Sequence, residues 1–299
     1  MWGRHHVDVP VGVVDVGSNT VRLLVSEHGR TILSERAMLR LGADIERHGA
    51  IPEEKLAETA AVVAGLVADA RAAGVEAIEI LIASPGRQAA NGAELADRLE
   101  RASSCSARIL SAVEEGQLAF VGALSCARIT GWRDVAVVDV GGGSAQVVVG
   151  SRKTGPVWSR SIDLGSQRLT SRLLSEDPPG ADAMLRAREE VERYLDNFDP
   201  PPPRTTLAVG GSARALKRLV GARIGAVELE GALEQLATTP TAVLSRQYGI
   251  GEERARTLPA GAIIFAALQQ RLETPLKVQR GGLREGALLT LAAEHAVAA

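Results

Sequence analysis

The stretch Val11-Gly-Val-Val-Asp-Val-Gly17 recurs as Val135-Ala-Val-Val-Asp-Val-Gly141, with six of seven positions identical. Self-similarity of this kind marks a duplicated structural unit. Each copy runs into a small polar turn, Gly17-Ser18-Asn19-Thr20 in the first and Gly141-Gly142-Gly143-Ser144 in the second. Each then re-enters an apolar run, Val21-Arg-Leu-Leu-Val25 and Val147-Val-Val149. Apolar run, tight turn, apolar run predicts a β-hairpin. Two matched hairpins predict two related domains facing each other, with Asp15 and Asp139 at the strand ends pointing into the cleft. The glycine-rich turns can aim backbone N–H groups at a phosphate. One copy alone has a plainer reading, because Asp before Gly often only caps a turn; the duplication argues against it.

Strand and helix patterns alternate outward from the hairpins. Residues 32–41 predict a third strand, 53–73 a helix, 78–82 a short buried strand, 86–101 a helix, 107–110 a strand and 112–127 a helix. In the second half, strands are expected near 135–140, 145–150, 156–162, 205–209 and 276–278. Helices are expected near 165–175, 181–196, 212–220, 230–247, 252–272 and 284–297. Pro200 to Pro203 cannot continue a helix and read as a surface loop. This is an α/β chain. Its domains are expected at residues 1–125 and 126–299, with the last helix placed to return to the first domain.

The bulk properties set limits. The chain has 299 residues, too many for one core of ordinary size, and 45% are hydrophobic and 23% charged, a globular mixture. Aromatic residues make up 3%, which argues against base stacking and so against nucleic acid as a partner. Cys105 and Cys126 form no CxxC pair or Cys/His cluster, so neither zinc nor a disulfide framework is suggested and a reducing cytoplasm is expected. The apolar run after the first residues is broken by Asp15 and Arg22, so it predicts neither a signal peptide nor a membrane span. The net charge of −2 selects no partner.

Candidate chemistry gathers at a few places. Ser111 and Glu114 have capping-box spacing, which gives Glu114 a structural task. Glu115 has no such task, and a carboxylate in the first turn can accept a proton from an attacking water. Spacing alone leaves a second reading open, in which both glutamates only favour a helix N-terminus. Asp15 and Asp139 beside phosphate-cradling turns suit a metal with its water shell. Arg22, Arg87, Arg168 and Arg284 are candidate grips on phosphate oxygens. Arg87 stands out because it follows a strand end, where α/β sheets place ligands. Gly210-Gly211-Ser212, between a strand and a helix, offers a third anion cradle.

Taken together, seven segments resemble the exopolyphosphatase/guanosine pentaphosphate phosphohydrolase family. They are Asp15 to Leu24, Ala83-Ser-Pro-Gly-Arg-Gln-Ala-Ala-Asn91, Val113-Glu-Glu-Gly-Gln-Leu118, Val138-Asp-Val-Gly-Gly-Gly-Ser144, Leu164-Gly-Ser-Gln-Arg-Leu169, Val209-Gly-Gly-Ser-Ala-Arg-Ala215 and Gly282-Leu-Arg-Glu-Gly286. The resemblance implies two ribonuclease-H-like domains of the actin/sugar kinase/Hsp70 type with the active site in the interdomain cleft. It implies release of terminal orthophosphate with Mg²⁺ or Mn²⁺, and a homodimer. Glu115 matches the family's catalytic base, Asp139 its metal- or water-positioning aspartate and Arg87 its active-site arginine. The loops Gly17 to Thr20 with Arg22, Gly141 to Ser144, and Gly210 to Ser212 then bind phosphates, and Asp15, Asp139 and Gln146 face the metal. Gln146 departs from the family pattern, which has glutamate there; glutamine orients water but carries no charge. Pro85-Gly86 also departs from the residues usual before Arg87. Inorganic polyphosphate and guanosine pentaphosphate are the substrates expected, with a kinase of the same architecture and a non-catalytic polyphosphate or alarmone sensor as alternatives.

Overall fold

The computed structural model describes residues 10–127 and 134–298. The first nine residues of the chain lie outside them. The elements run, in order, β1 (Val11–Val16), β2 (Thr20–Glu27), β3 (Arg30–Met38), α1 (Leu41–His48), α2 (Glu53–Ala72), β4 (Ala77–Ile82), α3 (Ser84–Gln88), α4 (Gly92–Ser103), β5 (Ala107–Ile109) and α5 (Ala112–Cys126). Then come β6 (Val135–Val140), β7 (Ala145–Ser151), β8 (Gly155–Ile162), α6 (Ser166–Leu173), α7 (Ala181–Tyr194), β9 (Thr205–Val209), α8 (Gly210–Val220), β10 (Arg223–Ile224), α9 (Ala226–Thr238), α10 (Thr241–Tyr248), α11 (Glu252–Arg256), α12 (Leu258–Leu272), β11 (Leu276–Val278) and α13 (Leu283–Ala298). The chain divides into two compact units, residues 1–122 with 283–299, and residues 123–282. The division falls three residues ahead of the sequence-based boundary, and α13 belongs to the first unit.

In the first unit a five-stranded sheet has the order β3-β2-β1-β4-β5. β1 pairs antiparallel with β2, and β2 with β3, while β4 and β5 continue in parallel. In the second unit the order is β10-β11-β9-β6-β7-β8. There β6-β7-β8 form the antiparallel meander, β9 and β11 lie parallel, and the two-residue β10 is an addition. Both sheets therefore carry the same ribonuclease-H-like arrangement, a hairpin meander followed by two parallel strands.

The faces of the first sheet follow from strand alternation. Val14, Val16, Val21, Leu23 and Val25 pack with Leu56, Val63 and Leu99 from α2 and α4. Val11, Val13, Leu24 and Leu81 pack on the other face with Leu283, Ala287 and Leu288 of α13. Asp15 and Arg22 share the parity of this second face. In the second unit one continuous core runs from Val147 through Leu169 and Leu216 to Phe265. α12 is buried on all sides, which its run of Ala, Ile, Phe and Leu permits.

Three expected helices are each two. The helix expected at 86–101 breaks between α3 and α4, because the Asn91 side chain holds Ile51 at both its N–H and its C=O, each at 2.9 Å. Pro240 separates α9 from α10, and a break at Thr257 separates α11 from α12. The third strand stops at Met38, because Arg40 takes a left-handed conformation (φ 58°) and opens α1.

The repeat reaches further than the hairpins. Leu41-Gly42 and Leu164-Gly165 each follow the meander and bring a helix N-terminus onto the turn. A Cβ at Gly42 would lie 2.9 Å from Ser18 Cβ, and one at Gly165 would lie 2.4 Å from the Gly142 carbonyl carbon. Gly165 has extended backbone that any residue adopts, so the constraint there is space. Gly165→Ala is expected to lower stability by about 1–3 kcal/mol, the usual cost of overpacking. Chemical denaturation of the variant checks this.

Candidate active site

In the first unit the hairpin turn is closed by Gly17 N–H donating to Thr20 O at 3.1 Å. The Ser18 carbonyl accepts from Gly42 N–H at 2.7 Å, and the Asn19 carbonyl accepts from the N–H groups of Leu39 and Arg40, both at 3.1 Å. A trans peptide points its N–H opposite to its C=O. With the Ser18 carbonyl turned to α1, the N–H of Asn19 faces away from it.

The second turn repeats this. Gly141 N–H donates to Ser144 O at 3.0 Å, the Gly141 carbonyl accepts from Ser166 N–H at 2.9 Å, and the Gly142 carbonyl accepts from Gln167 N–H at 2.9 Å. The N–H groups of Gly142 and Gly143 therefore face away from α6. Successive outward N–H groups of this kind form an anion-binding concavity.

Behind each turn stands an aspartate with a cross-strand partner. Asp15 is opposite Arg22, and Asp139 is opposite Gln146. The two partners are used alike: Arg22 Nε donates to Thr20 Oγ1 at 3.0 Å, and the buried Gln146 Nε2 donates to Ser144 Oγ at 2.8 Å. The second turn thus has a neutral amide where the first has a cation. Burial pushes the Asp15 carboxyl above the usual carboxylate range; Arg284 and then Arg22 pull it back, and Glu285 adds to the rise.

The remaining first-unit residues form a hydrogen-bonded series. Buried Ser18 Oγ lies 2.7 Å from Ser84 Oγ at the start of α3. Arg87, in the same single turn of helix, donates from Nη1 to Leu110 O at 2.8 Å and from Nη2 to Glu115 Oε2 at 2.7 Å. Arg87 therefore holds a carboxylate, whereas its position in the sequence suggested a grip on phosphate. Glu115 retains 12% side-chain exposure, enough for water to reach it. Its neighbour forms the expected box: Ser111 N–H donates to Glu114 Oε2 at 2.8 Å and Glu114 N–H donates to Ser111 Oγ at 3.1 Å. These bonds, with help from Arg108, hold the Glu114 carboxyl below its ordinary pKa against a small opposing effect of burial.

In the second unit Gly210 carries φ 87° and lies against Asp139; a Cβ there would sit 2.4 Å from Asp139 Oδ1. Only glycine satisfies both the dihedral and the space. This brings the Gly210-Gly211-Ser212 turn to Asp139. Arg254 is there too, with Nη1 3.2 Å from Ser212 Oγ and its guanidinium packed on Gly211. Sequence reasoning missed Arg254, which nothing in its local pattern marks. It also missed Gly42, although the Leu-Gly pair shared with Leu164-Gly165 was a usable signal. Arg168 binds Asp163 through a 2.7 Å ion pair.

Among the described residues no group of three His, Cys, Asp or Glu is arranged to hold a metal. The donors present are oxygens of a different kind. Asn19 Oδ1 and Gln167 Oε1, one at each turn, are buried with no hydrogen-bond partner. Buried acceptors call for donors, and water molecules on a magnesium ion are donors. In the second unit, Gln167 Oε1 and the Asp139 carboxylate suit a cation that keeps most of its hydration shell.

Comparison with known proteins agrees with this architecture. Residues 21–295 match the Ppx/GppA phosphatase family. Exopolyphosphatase 1 of Mycobacterium tuberculosis is 29% identical over 93% of this chain and 87% of its own length. Guanosine-5'-triphosphate,3'-diphosphate pyrophosphatase of Aeromonas salmonicida is 23% identical over 93% of this chain and 58% of its own. A crystal structure of an exopolyphosphatase from Cytophaga hutchinsonii superposes with a TM-score of 0.85 at 19% identity, covering 95% of this chain and 98% of that one, and shares the fold.

Two substitutions test the electrostatics. Glu114 has a lowered folded-state pKa, so its charge stabilises the fold above the unfolded value and this is lost as pH falls through the folded one. Glu114→Gln is expected to cost roughly 1 kcal/mol or less near neutrality, as for a cap, with the gap to wild type closing in acid. Asp15 has the opposite sign: a raised folded-state pKa means its ionised form opposes folding above that value. Asp15→Asn is expected to melt above wild type at neutral pH, with the gain vanishing in acid. Thermal melts across pH check both.

Proposed function

Because the chain belongs to the Ppx/GppA phosphatase family, whose named relatives hydrolyse phosphoanhydrides, we propose that it is an exopolyphosphatase, releasing terminal orthophosphate from inorganic polyphosphate. The observation that carries the reading is Glu115: a part-exposed carboxylate, without a capping task, fixed by Arg87 at 2.7 Å. A carboxylate held in this way can take the proton of a water attacking phosphorus. Arg87 is assigned as its positioning group, since Nη1 donates to Leu110 O and Nη2 to Glu115.

The turns Gly17 to Thr20 and Gly141 to Ser144, with Arg22, are assigned to the phosphate oxygens. Outward N–H groups and a guanidinium lower the cost of charge that builds on the transferring phosphoryl group. Gly210, Gly211 and Ser212, opening an 11-residue helix beside Asp139, are assigned to a further phosphate. Asp139 is the side chain assigned to Mg²⁺ or Mn²⁺, with Gln146 and Gln167 orienting its water. When bound, the cation supplies charge neutralisation at the phosphate oxygens. Asp15 sits among Arg22, Arg284 and Glu285, so we assign it to holding these arginines in place.

Guanosine pentaphosphate is the second reading, supported by the Aeromonas relative's name. It ends in the same anhydride, so the same groups serve.

Glu115→Gln is expected to cut phosphate release from polyphosphate by about 10²–10⁴-fold, the usual loss for a general base, while polyphosphate binding persists. Release measured with polyphosphate and with guanosine pentaphosphate, with and without Mg²⁺, checks it. A variant as active as wild type would remove Glu115 from this role, and faster release from guanosine pentaphosphate would select the second reading.

A further inference from the structure

The row of residues crossing the first sheet at Asp15 holds a charge that no role yet uses. Asp15 on β1 is opposite Arg22 on β2, and Arg22 is opposite Arg36 on β3. Directly opposed residues project from the same face, the one that α13 covers. α13 packs over β1, β2 and β4, and Arg36 on the edge strand stays exposed between Ile32 and Met38, each 45% exposed. Among the described residues the Arg36 guanidinium has no ion pair and no side-chain hydrogen bond.

Two arginines directly opposed on neighbouring strands repel. The one carboxylate in the row faces Arg22 and is also near Arg284. The equivalent row of the second unit reads Asp139, Gln146, Ser161, with no cation at all. Along the three antiparallel strands the duplication thus kept the geometry and diverged in charge: one negative group in the second unit, two positive and one negative in the first.

From this we infer that Arg36 is a specificity-determining residue, binding a phosphate further along the chain than the one held by Arg22 and the Gly17 to Thr20 turn. The ligand class is a linear polyphosphate. Neighbouring strands lie roughly 4.8 Å apart, so the two guanidiniums offer donors along a line across the sheet. A chain of phosphates follows that line and cancels the repulsion; a single orthophosphate meets only one of them. Guanidinium forks suit this task because they bind phosphate oxygens in pairs. The inference rests on the phosphate-binding assignment of Arg22, and adds to it a preference for length.

The test compares wild type, Arg36→Gln, Arg36→Lys and the control Arg30→Gln, which removes an exposed charge at the far end of the same strand. With long polyphosphate, Arg36→Gln is expected to raise KM about tenfold, as for one charge-assisted hydrogen bond, with kcat within about twofold. Lysine should recover part of the loss, the control should stay near wild type, and added salt should shrink the difference. Equilibrium binding of polyphosphate to Glu115→Gln, with and without Arg36→Gln, reads the same contact without turnover. An unchanged KM together with unchanged binding overturns the inference, and so does a fall in kcat at constant KM. If wild type releases no phosphate from polyphosphate, the proposed activity fails instead, while the binding comparison still decides the role of Arg36.

Discussion

Two short turns have their carbonyls fastened to the helix behind them, and this one constraint directs the remaining polar groups. The Ser18 carbonyl is taken by Gly42 and the Gly142 carbonyl by Gln167. Peptide planarity then leaves the following N–H groups facing the opposite way. The backbone itself then carries the partial positive charge, with no side chain needed to supply it. The helix can come so close only because glycine stands at 42 and at 165. Both turns are hairpin ends of central strands, β1 and β6, so the cores beneath hold them rigid.

The duplicated scaffold leaves the chemistry free to differ between copies. Behind one turn an aspartate faces arginine; behind the other it faces glutamine. Arg22 and Gln146 make the same bond, to a hydroxyl two residues earlier. Interchange of charge at a conserved geometry suits one copy to anionic oxygens and the other to a hydrated cation. Glu115 lies outside the repeat. It is held by Arg87, whose short helix begins at Ser84, the hydroxyl partner of Ser18. Glu115 and the hairpin turn of its own unit are thereby both bonded to side chains of the same short helix.

Strand positions and the two hairpins were largely legible, because hydrophobic alternation and the repeated Val-Val-Asp-Val-Gly speak directly about local backbone. The capping role of Glu114 was legible for the same reason: it depends on neighbours three residues away. Helix breaks were less so. The gap between α3 and α4 comes from Asn91 bonding to Ile51, a partner 40 residues distant. The two-residue β10 was too short to carry a pattern.

The sequence by itself determined that there are two related units, which two turns are short and glycine-rich, and which glutamate of the pair is left without a capping task, since each depends on residue type at short spacing. Only the tertiary structure decided that Arg87 grips Glu115, that Arg254 stacks on Gly211, and that Arg36 stands beside Arg22. Those pairings join residues separated by 28, 43 and 14 positions. Register and helix packing bring them together, and no local preference of the chain records either.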